Sequence, residues 1–257
     1  YTGAAIDIGA NTLLVSGTGG NGTFNNTGAV TCNNINSILQ LTQCTVTSVS
    51  QTAVAAATKG IAVVTTASTI TTLTHGSGSR IDLGANLTIT NGFNVGANTL
   101  VLSGAGTLAA GGAIDLNAAN SVIQRTAAGI VSAPLTFSAA GAKLDVDANV
   151  DFSGIFTMNA NSVFDIANGE TLTKSASGIA CGANNLQFIT ADGGTLANTG
   201  GALAFTTGTL DADVSVTVSG AITVGGNATF DIANGKTVTY TGAAIDIGAN
   251  TLLVSGT

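Results

Sequence analysis

The chain has few charged side chains, few aromatic ones and almost no proline. Of its 257 residues, 7% are charged and 4% aromatic, with no Trp and a single Pro, although 45% are apolar. A globular domain usually carries about a quarter charged residues. These shortages indicate a core of Ile, Leu, Val, Ala and a few Phe, built in thin layers rather than as a sphere.

Long apolar runs are missing as well. Gly, Asn, Thr or Asp interrupts every apolar stretch before it reaches the roughly 18 residues that a membrane-spanning helix needs. Basic residues are few and scattered, and the net charge is −7, which argues against nucleic acid and anionic membranes as partners. Abundant β-branched residues argue against disorder. We therefore expect a folded chain without membrane insertion.

What the sequence does contain is repetition. Residues 240–257 repeat residues 1–18 letter for letter, as YTGAAIDIGANTLLVSGT, which gives a period of 239 residues. We interpret the chain as one repeat plus an 18-residue overlap, taken from a longer array. Arrays of this kind provide length, multivalency or a lattice, whereas an enzyme needs one site.

Shorter repeats are nested inside the long one. Residues 144–186 align without gaps on residues 210–252, an offset of 66. An apolar-Asp-apolar triplet also recurs, and its two closest copies are those around Asp231 and Asp246. The spacings between the copies predict a variable elementary unit of about 12 to 20 residues, and an average of about 16 would give about four coils in the 66-residue block.

The elementary unit has the pattern of a β-strand. Apolar residues alternate with Asp, Thr or Ser over short phrases that end in Gly or Asn, which are residues that turns favour. Short strands, frequent turns and nested periods together predict an all-β fold, a β-solenoid that forms one elongated rod over residues 1–257. A two-sheet antiparallel sandwich is the alternative, but it would not predict nested periods.

Alternation also predicts which side chains point inward, because neighbours along a strand face opposite sides. Cys181 falls on the same inward position as Ile247 in the 66-residue register, and the Asp at the centre of each triplet should face solvent. The predicted core ladder consists of Ile245, Ile247, Phe230, Ile232, Phe164, Ile166 and Cys181.

Two other cysteines suggest a covalent link. The sequence separation of Cys32 and Cys44 is close to the length of one short coil. Residues stacked on adjacent coils have Cα atoms near enough for a disulfide. A Cys32–Cys44 bridge is therefore a candidate. Metal binding is disfavoured, because no Cys-x-x-Cys occurs and His75, interpreted as a surface-loop residue, is the only histidine.

Three longer phrases carry a family resemblance. GANTLLVSG (248–256), GANTLVLSGAGTL (96–108) and FDIANGKTVT (230–239) resemble repeats of bacterial surface-exposed, right-handed parallel β-helix proteins. That group includes autotransporter passengers and filamentous-haemagglutinin-type adhesins. The resemblance covers residues 1–18 and 80–257. It implies right-handed winding, secretion, a rod at the cell surface and adhesive or scaffolding work, and it transfers no catalytic residue.

Residues 19–79 depart from this pattern, since they contain no apolar-Asp-apolar triplet. They form either atypical coils or a protruding insertion, and residues 52–59 (TAVAAATK) could form a short helix. Asn-x-Ser/Thr sequons matter only in a glycosylating host. They begin at Asn21, Asn25, Asn86 and Asn227.

Catalysis would need clustered carboxylates on one face. The candidates are Asp145, Asp147 and Asp151, with Asp211 and Asp213 as a partial echo. Because such Asp residues recur along the chain, we interpret them as an outward, solvated row.

We therefore expect a non-enzymatic structural repeat of an extracellular or cell-surface fibre or filament, without cofactor. Its partner would be itself, through end-to-end continuation and lateral bundling, with possible contact to a host or cell surface. The first alternative is the stalk of a surface adhesin whose binding domain lies elsewhere. A carbohydrate-active β-helix enzyme is a distant one.

Overall fold

The chain forms a β-solenoid. A computed structural model describes residues 1–17, 22–53 and 60–256, and its strands pair in parallel in two sheets of 19 and 12 strands. The 12-stranded sheet has eleven steps from coil to coil, which at about 4.8 Å per step is a rise of about 53 Å. These residues contain no helix, and so none that could cross a membrane. Right-handed winding stays a prediction.

Thirty-one strands occur in the described residues. In chain order they are β1 (Ile6–Asp7), β2 (Thr12–Ser16), β3 (Gly22–Phe24), β4 (Val30–Cys32), β5 (Ile38–Thr42), β6 (Cys44–Ala53), β7 (Ile61–Val63), β8 (Ser68–Ser77), β9 (Arg80–Leu83), β10 (Leu87–Ile89), β11 (Phe93–Asn94), β12 (Thr99–Ser103), β13 (Leu108–Ala110), β14 (Ile114–Leu116), β15 (Val122–Arg125), β16 (Gly129–Val131), β17 (Leu135–Phe137), β18 (Ala142–Val146), β19 (Val150–Phe152), β20 (Phe156–Met158), β21 (Ser162–Ile166), β22 (Thr171–Lys174), β23 (Ile179–Gly182), β24 (Leu186–Ile189), β25 (Gly194–Phe205), β26 (Thr209–Ala212), β27 (Val216–Val224), β28 (Ala228–Ile232), β29 (Val238–Tyr240), β30 (Ile245–Asp246) and β31 (Leu252–Gly256).

Each complete coil contributes strands to three faces. Face 1 contains β3, β10, β13, β16, β19, β22 and β29, and face 2 contains β1, β4, β11, β14, β17, β20, β23 and β30. The long strands β6, β8, β25 and β27 run around the corner and pair on both faces, which joins them into the 19-stranded sheet. Face 3 is the 12-stranded sheet, from β2 to β31.

The core is a set of columns that run up the inside of the solenoid. On face 3, Leu144 pairs in register with Phe164, and Phe164 with Phe188, so equivalent inward side chains stack coil upon coil. The Phe164 ring contacts those of Phe137 and Phe156 on face 2, with centroids 5.9 and 6.1 Å away. Every coil therefore buries its apolar side chains against neighbouring coils.

Asparagines link the coils at the corners. The side-chain Oδ1 of Asn86 accepts a hydrogen bond from the Thr107 backbone amide of the next coil at 2.9 Å. Four other asparagines make the same kind of contact to a later coil, namely Asn26, Asn149, Asn161 and Asn227. These bonds satisfy backbone groups where the strand ladder is interrupted.

The predicted average coil length was too short. Register partners on adjacent coils lie between 19 residues apart, as in the Val30–Val49 pair, and 26 residues apart, as in the Thr12–Ile38 pair, so only the shortest coils fall within the expected range. The spacing of the two closest triplets does not measure the coil length, because Asp231 lies on face 3, in β28, and Asp246 lies on face 2, in β30. Their separation is the distance between two faces of one turn.

The 66-residue block therefore makes three turns instead of the expected four. On face 2, Phe156 pairs with Ile179, Ile179 with Leu203, and Leu203 with Ile222, so that three steps span one whole block. On face 3, three steps from Leu144 lead through Phe164 and Phe188 to Ala212, two residues beyond its sequence equivalent. A two-residue shift keeps the same side chains inward.

Most of the expected core ladder lies inside the solenoid. Phe164, Ile166, Cys181 and Phe230 are buried and Ile232 is half-buried. Ile245 and Ile247 are 37% and 38% exposed, so their predicted burial is wrong. Both point inward but belong to the uppermost described coil, where no described residue lies above them.

The predicted exposure of the triplet carboxylates also needs correction at one position. Asp246 is exposed and Asp231 half-buried, but Asp165 is buried. Its carboxylate is on the outer side of face 3, where the Lys143 ammonium reaches across at 3.0 Å and covers it.

Residues 19–79 follow ordinary coils where they are described. Strand β5 pairs with β2 below and β7 above, and β6 pairs with β3, β4 and β8. The expected helix over 52–59 falls largely on residues 54–59, which lie outside the described residues.

Phe164 tests the stacked core. Phe164→Ala should lower the free energy of unfolding by about 3–5 kcal/mol, because it removes a buried ring from the centre of an aromatic cluster. Urea denaturation followed by circular dichroism measures the change. The control is Ile155→Ala, since Ile155 is 61% exposed and its loss should change the stability by less than about 0.5 kcal/mol. Equal effects would contradict the inward position of Phe164.

Candidate assembly surface

The carboxylates considered for catalysis do not converge on one cleft. Asp145 lies on face 3, in β18, whereas Asp151 lies on face 1, in β19. The Lys143 ammonium bridges Asp145 at 3.1 Å and Asp165 at 3.0 Å. Burial opposes the charge on Lys143, but the hydrogen bonds that its ammonium donates to these two carboxylates raise the pKa of Lys143 overall. The arrangement is an ion-pair link between coils.

Other acidic residues join neighbouring coils in the same way. The Gln124 amide donates to Asp147 at 2.8 Å, and the Gln187 amide donates to Asp213, the equivalent of Asp147 in the 66-residue repeat, at 2.8 Å. The Ser175 hydroxyl donates to Asp151 at 2.6 Å.

Asp211 remains the least compensated carboxylate of the set. Burial raises its pKa, with further contributions from the charges of Asp213 and Asp231. In the described part of the chain, no group of three His, Cys, Asp or Glu side chains is placed to hold a metal ion.

His75 is an interior residue rather than a loop residue. It stands in register with Gln51, which in turn pairs with Cys32, so the three form one inward column on consecutive coils. The His75 Nδ1 lies 3.1 Å from the Val95 carbonyl oxygen. Within the described residues, His75 Nε2 and Gln51 Oε1 are buried and have no hydrogen-bond partner. Burial lowers the pKa of His75 to about 4.

All three cysteines are free, buried thiols, so the predicted Cys32–Cys44 bridge is wrong. The two residues belong to consecutive coils but occupy different faces, because Cys32 pairs with Gln51 on face 2 and Cys44 pairs with Gly22 on face 1. Burial raises the pKa of Cys32 and of Cys181 to about 12. Neither thiol is thus set up as a nucleophile or metal ligand.

Two buried cations were missed at the sequence level. Arg125 and Lys174 are fully buried, and alternation could have placed both inward, because each lies two residues after a core residue, Ile123 or Leu172. The Arg125 Nη2 donates to the Gly104 carbonyl at 2.7 Å. Lys174 Nζ donates to a serine hydroxyl at 2.7 Å and lies 5.2 Å from an aromatic centroid.

Inward apolar side chains are exposed at one end of the solenoid, the end formed by residues 240–256, which we call the upper end. We call residues 1–17 the first coil, residues 22–42 the second coil and residues 240–256 the last coil. First and last coils have the same local structure as well as the same sequence. Gly9 and Gly248 both have φ of 52°, and their amides donate to Asp7 at 2.9 Å and to Asp246 at 3.0 Å.

The first and last coils differ in how far their inward side chains are buried. Ile8 is 7% exposed in the first coil, whereas its equivalent Ile247 is 38% exposed in the last. Leu14 and its equivalent Leu253 point outward and are both 57% exposed. The inward position therefore differs while the outward one does not, because the second coil covers the first and no described residue covers the last.

The second coil fits the first through backbone ladders on two faces. Ile6 pairs with Val30 on face 2, and Leu13 pairs with Leu39 on face 3. The Ile8 amide also donates to the Thr31 carbonyl at 3.3 Å.

Side chains add specificity to this fit. The Asn33 amide donates to the Asp7 carboxylate at 2.7 Å, and the Ser37 hydroxyl donates to the Gly9 carbonyl. Gly28 lies so close to the first coil that a Cβ there would be 2.6 Å from the Ala4 carbonyl carbon, so only glycine fits. Asp246, Gly248 and Ala243 supply the same three partners on the last coil.

Comparison with known proteins identifies no relative. No family model, no curated protein and no solved structure matches this chain.

The half-buried His75, whose ring Nε2 is buried, predicts a pH dependence of stability. Its folded pKa of about 4 lies below the 6.5 of an unperturbed histidine. As the pH falls from 6.5 towards 4, the unfolded chain takes up a proton that the folded chain does not, so stability decreases, by at most about 3.4 kcal/mol, and the decrease levels off below this window. His75→Leu should remove this component, measured as a smaller fall of the urea midpoint between about pH 7 and pH 4.5. An unchanged fall would contradict a buried, neutral His75.

The cysteines predict a labelling pattern. Because thiolate is the reactive form and burial disfavours it, iodoacetamide should modify none of the three thiols in the native protein and all of them in urea. Intact mass spectrometry reads out both states. Rapid native labelling of Cys32, or a mass short of two hydrogens, would contradict the structure.

Proposed function

We propose that this chain is a structural repeat segment of an extracellular β-solenoid fibre or surface filament, and that it has no catalytic activity. One observation carries the proposal. The last coil reproduces the first in sequence and local structure, yet the inward Ile245 and Ile247 are exposed there. A following repeat would place its own copy of the second coil over them, and the contacts seen over the first coil would recur.

The proposed role is mechanical. Each coil is stabilised by the coils above and below, so stability accumulates with the number of neighbours. Six Lys and Arg residues in 257 leave few sites for proteases that cut after basic residues, and the low charge limits repulsion between adjacent rods. Both properties suit a long exposed filament, whose partner would be further copies of itself.

Two further observations support the proposal. The resemblance of the GANTLLVSG and FDIANGKTVT phrases to surface β-helix repeats favours an extracellular location. The candidate carboxylates Asp145 and Asp151 lie on different faces and are bound to neighbouring side chains, which favours a structural role for them.

A chain of two consecutive repeats, residues 1–239 followed by residues 1–257, tests the proposal. Continuous stacking predicts one straight rod of about 105 Å, twice the single-repeat rise, measured by small-angle scattering or electron microscopy. Ile247→Asp at the junction should break the rod there, because it puts a charge at an inward position. The matched control is Leu253→Asp, which changes an outward residue. Two rods joined by a hinge in the unaltered chain would contradict the proposal.

A further inference from the structure

One step between neighbouring coils lacks its strand ladder. On face 2, β8 pairs with β6 of the coil below, and β11 pairs with β14 of the coil above, but no ladder joins β8 to β11. Within the described residues, every other step on the three faces has a ladder. The wall of the solenoid therefore has one interruption, and it lies well inside the rod.

An extra residue at the corner explains this interruption. Before the corner, on face 1, Ile70 pairs in register with Ile89. After it, on face 2, His75 lies beneath Val95, with its ring Nδ1 3.1 Å from the Val95 carbonyl oxygen. The upper coil thus has one residue more in this corner than β8, which runs through the corner as a continuous strand. The two backbones lose their register, and no ladder forms between β8 and β11.

The interruption leaves a cleft of about 300 Å³ between the two strands. Its lining consists of Leu73, Thr74, His75, Gly92, Phe93 and Asn94. The rings of His75 and Phe93 are neighbours, with centroids 6.2 Å apart, and Thr74 and Asn94 are exposed. None of the lining side chains is ionised at neutral pH. A volume of this size is at the lower end for ligand pockets, which suits one small ring.

His75 gives the cleft an unused hydrogen-bond acceptor. A carbonyl oxygen can only accept, so the His75 Nδ1 carries the proton and donates it to the Val95 carbonyl. Burial holds the pKa of His75 at about 4, so the ring is neutral at neutral pH and Nε2 has a free lone pair. That nitrogen is buried and has no partner in the described part of the chain. A buried acceptor without a partner costs free energy, which a ligand that donates a hydrogen bond would recover.

We propose that this cleft binds one neutral pyranose ring, with a sugar hydroxyl donating to His75 Nε2. A pyranose has an apolar face of C–H groups, which can pack against Leu73 and Phe93. Its edge carries hydroxyls, which can pair with Thr74 and Asn94 at the surface. An ionised ligand fits less well, because the lining offers no opposite charge. Since Nε2 is buried, the sugar must enter by spreading β8 and β11, and the missing ladder allows this movement.

The site does not depend on the proposed function, but the two combine. In the proposed array, the cleft would recur once per repeat. Weak binding at one cleft would then add up along the filament, because the sites on one rod act together on a surface that carries many sugars. The shaft itself would thus contact such a surface.

Histidine NMR tests the binding directly, because the chain has a single histidine and its ring nitrogens give one set of signals. The probes are the methyl pyranosides of glucose, galactose and N-acetylglucosamine. At least one should shift the His75 Nε2 resonance saturably at concentrations up to about 100 mM, which fill a site of millimolar Kd. The fully O-methylated form of the same glycoside keeps the ring but has no hydroxyl donor, so it should not. A saturable shift with none of the three probes, or an equal shift with the O-methylated form, would overturn the proposal.

Two matched pairs of variants test whether the sugar lies in this cleft, with Kd measured by ligand-observed NMR. Asn94→Ala should weaken binding about fivefold, as loss of one hydrogen bond predicts. Its control is Thr136→Ala, two coils higher in the same outward column, which should not change the Kd. His75→Leu should weaken binding at least as much, whereas Gln51→Leu, one coil lower in the same inward column, should not. A folded Asn94→Ala variant and a folded His75→Leu variant that both keep the original Kd would place the sugar elsewhere and reject the site.

Discussion

The structure depends on one constraint, which is that each coil can bury its inward side chains only against other coils. A coil contributes three short strands, most of two to five residues, and encloses too little apolar surface to fold alone. Parallel register places like positions on top of one another, as in the Leu144, Phe164 and Phe188 column. Stability, length and the behaviour of the ends all follow from this stacking.

The same constraint explains the polar features. Asparagines such as Asn86 accept hydrogen bonds from backbone amides at the corner of the next coil. Lys143 forms ion pairs with Asp145 and Asp165, which lie on consecutive coils. Even the buried Arg125 donates to the backbone of the preceding coil. The contacts of Lys143 and Arg125 thus connect neighbouring coils. The two end coils differ in where their described neighbour lies, because the second coil lies above the first and no described residue lies above the last.

The fold class could be predicted from the sequence because alternation and nested repeats are local signals. Coil length could not, since Asp231 and Asp246 share one motif while lying on different faces of a turn. The predicted burial of Ile247 was wrong for a related reason. The alternation pattern shows which side of the strand a residue faces, but it does not show whether another coil covers that residue. The Cys32–Cys44 link followed from the mistaken coil length. Alternation along β8 and β15 places His75 and Arg125 inward. Neither was assigned to the core from the sequence, because polar side chains are rarely expected there.

Amide hydrogen exchange of residues 240–256, compared between one repeat and two consecutive repeats, tests the central claim most directly. If the last coil is an unfinished interface, its inward strand amides should exchange rapidly in the single repeat. At the junction of the two-repeat chain, they should become as protected as those of β21 in the interior. Equal, rapid exchange in both chains would show that the following repeat does not cover this coil, and would contradict the account.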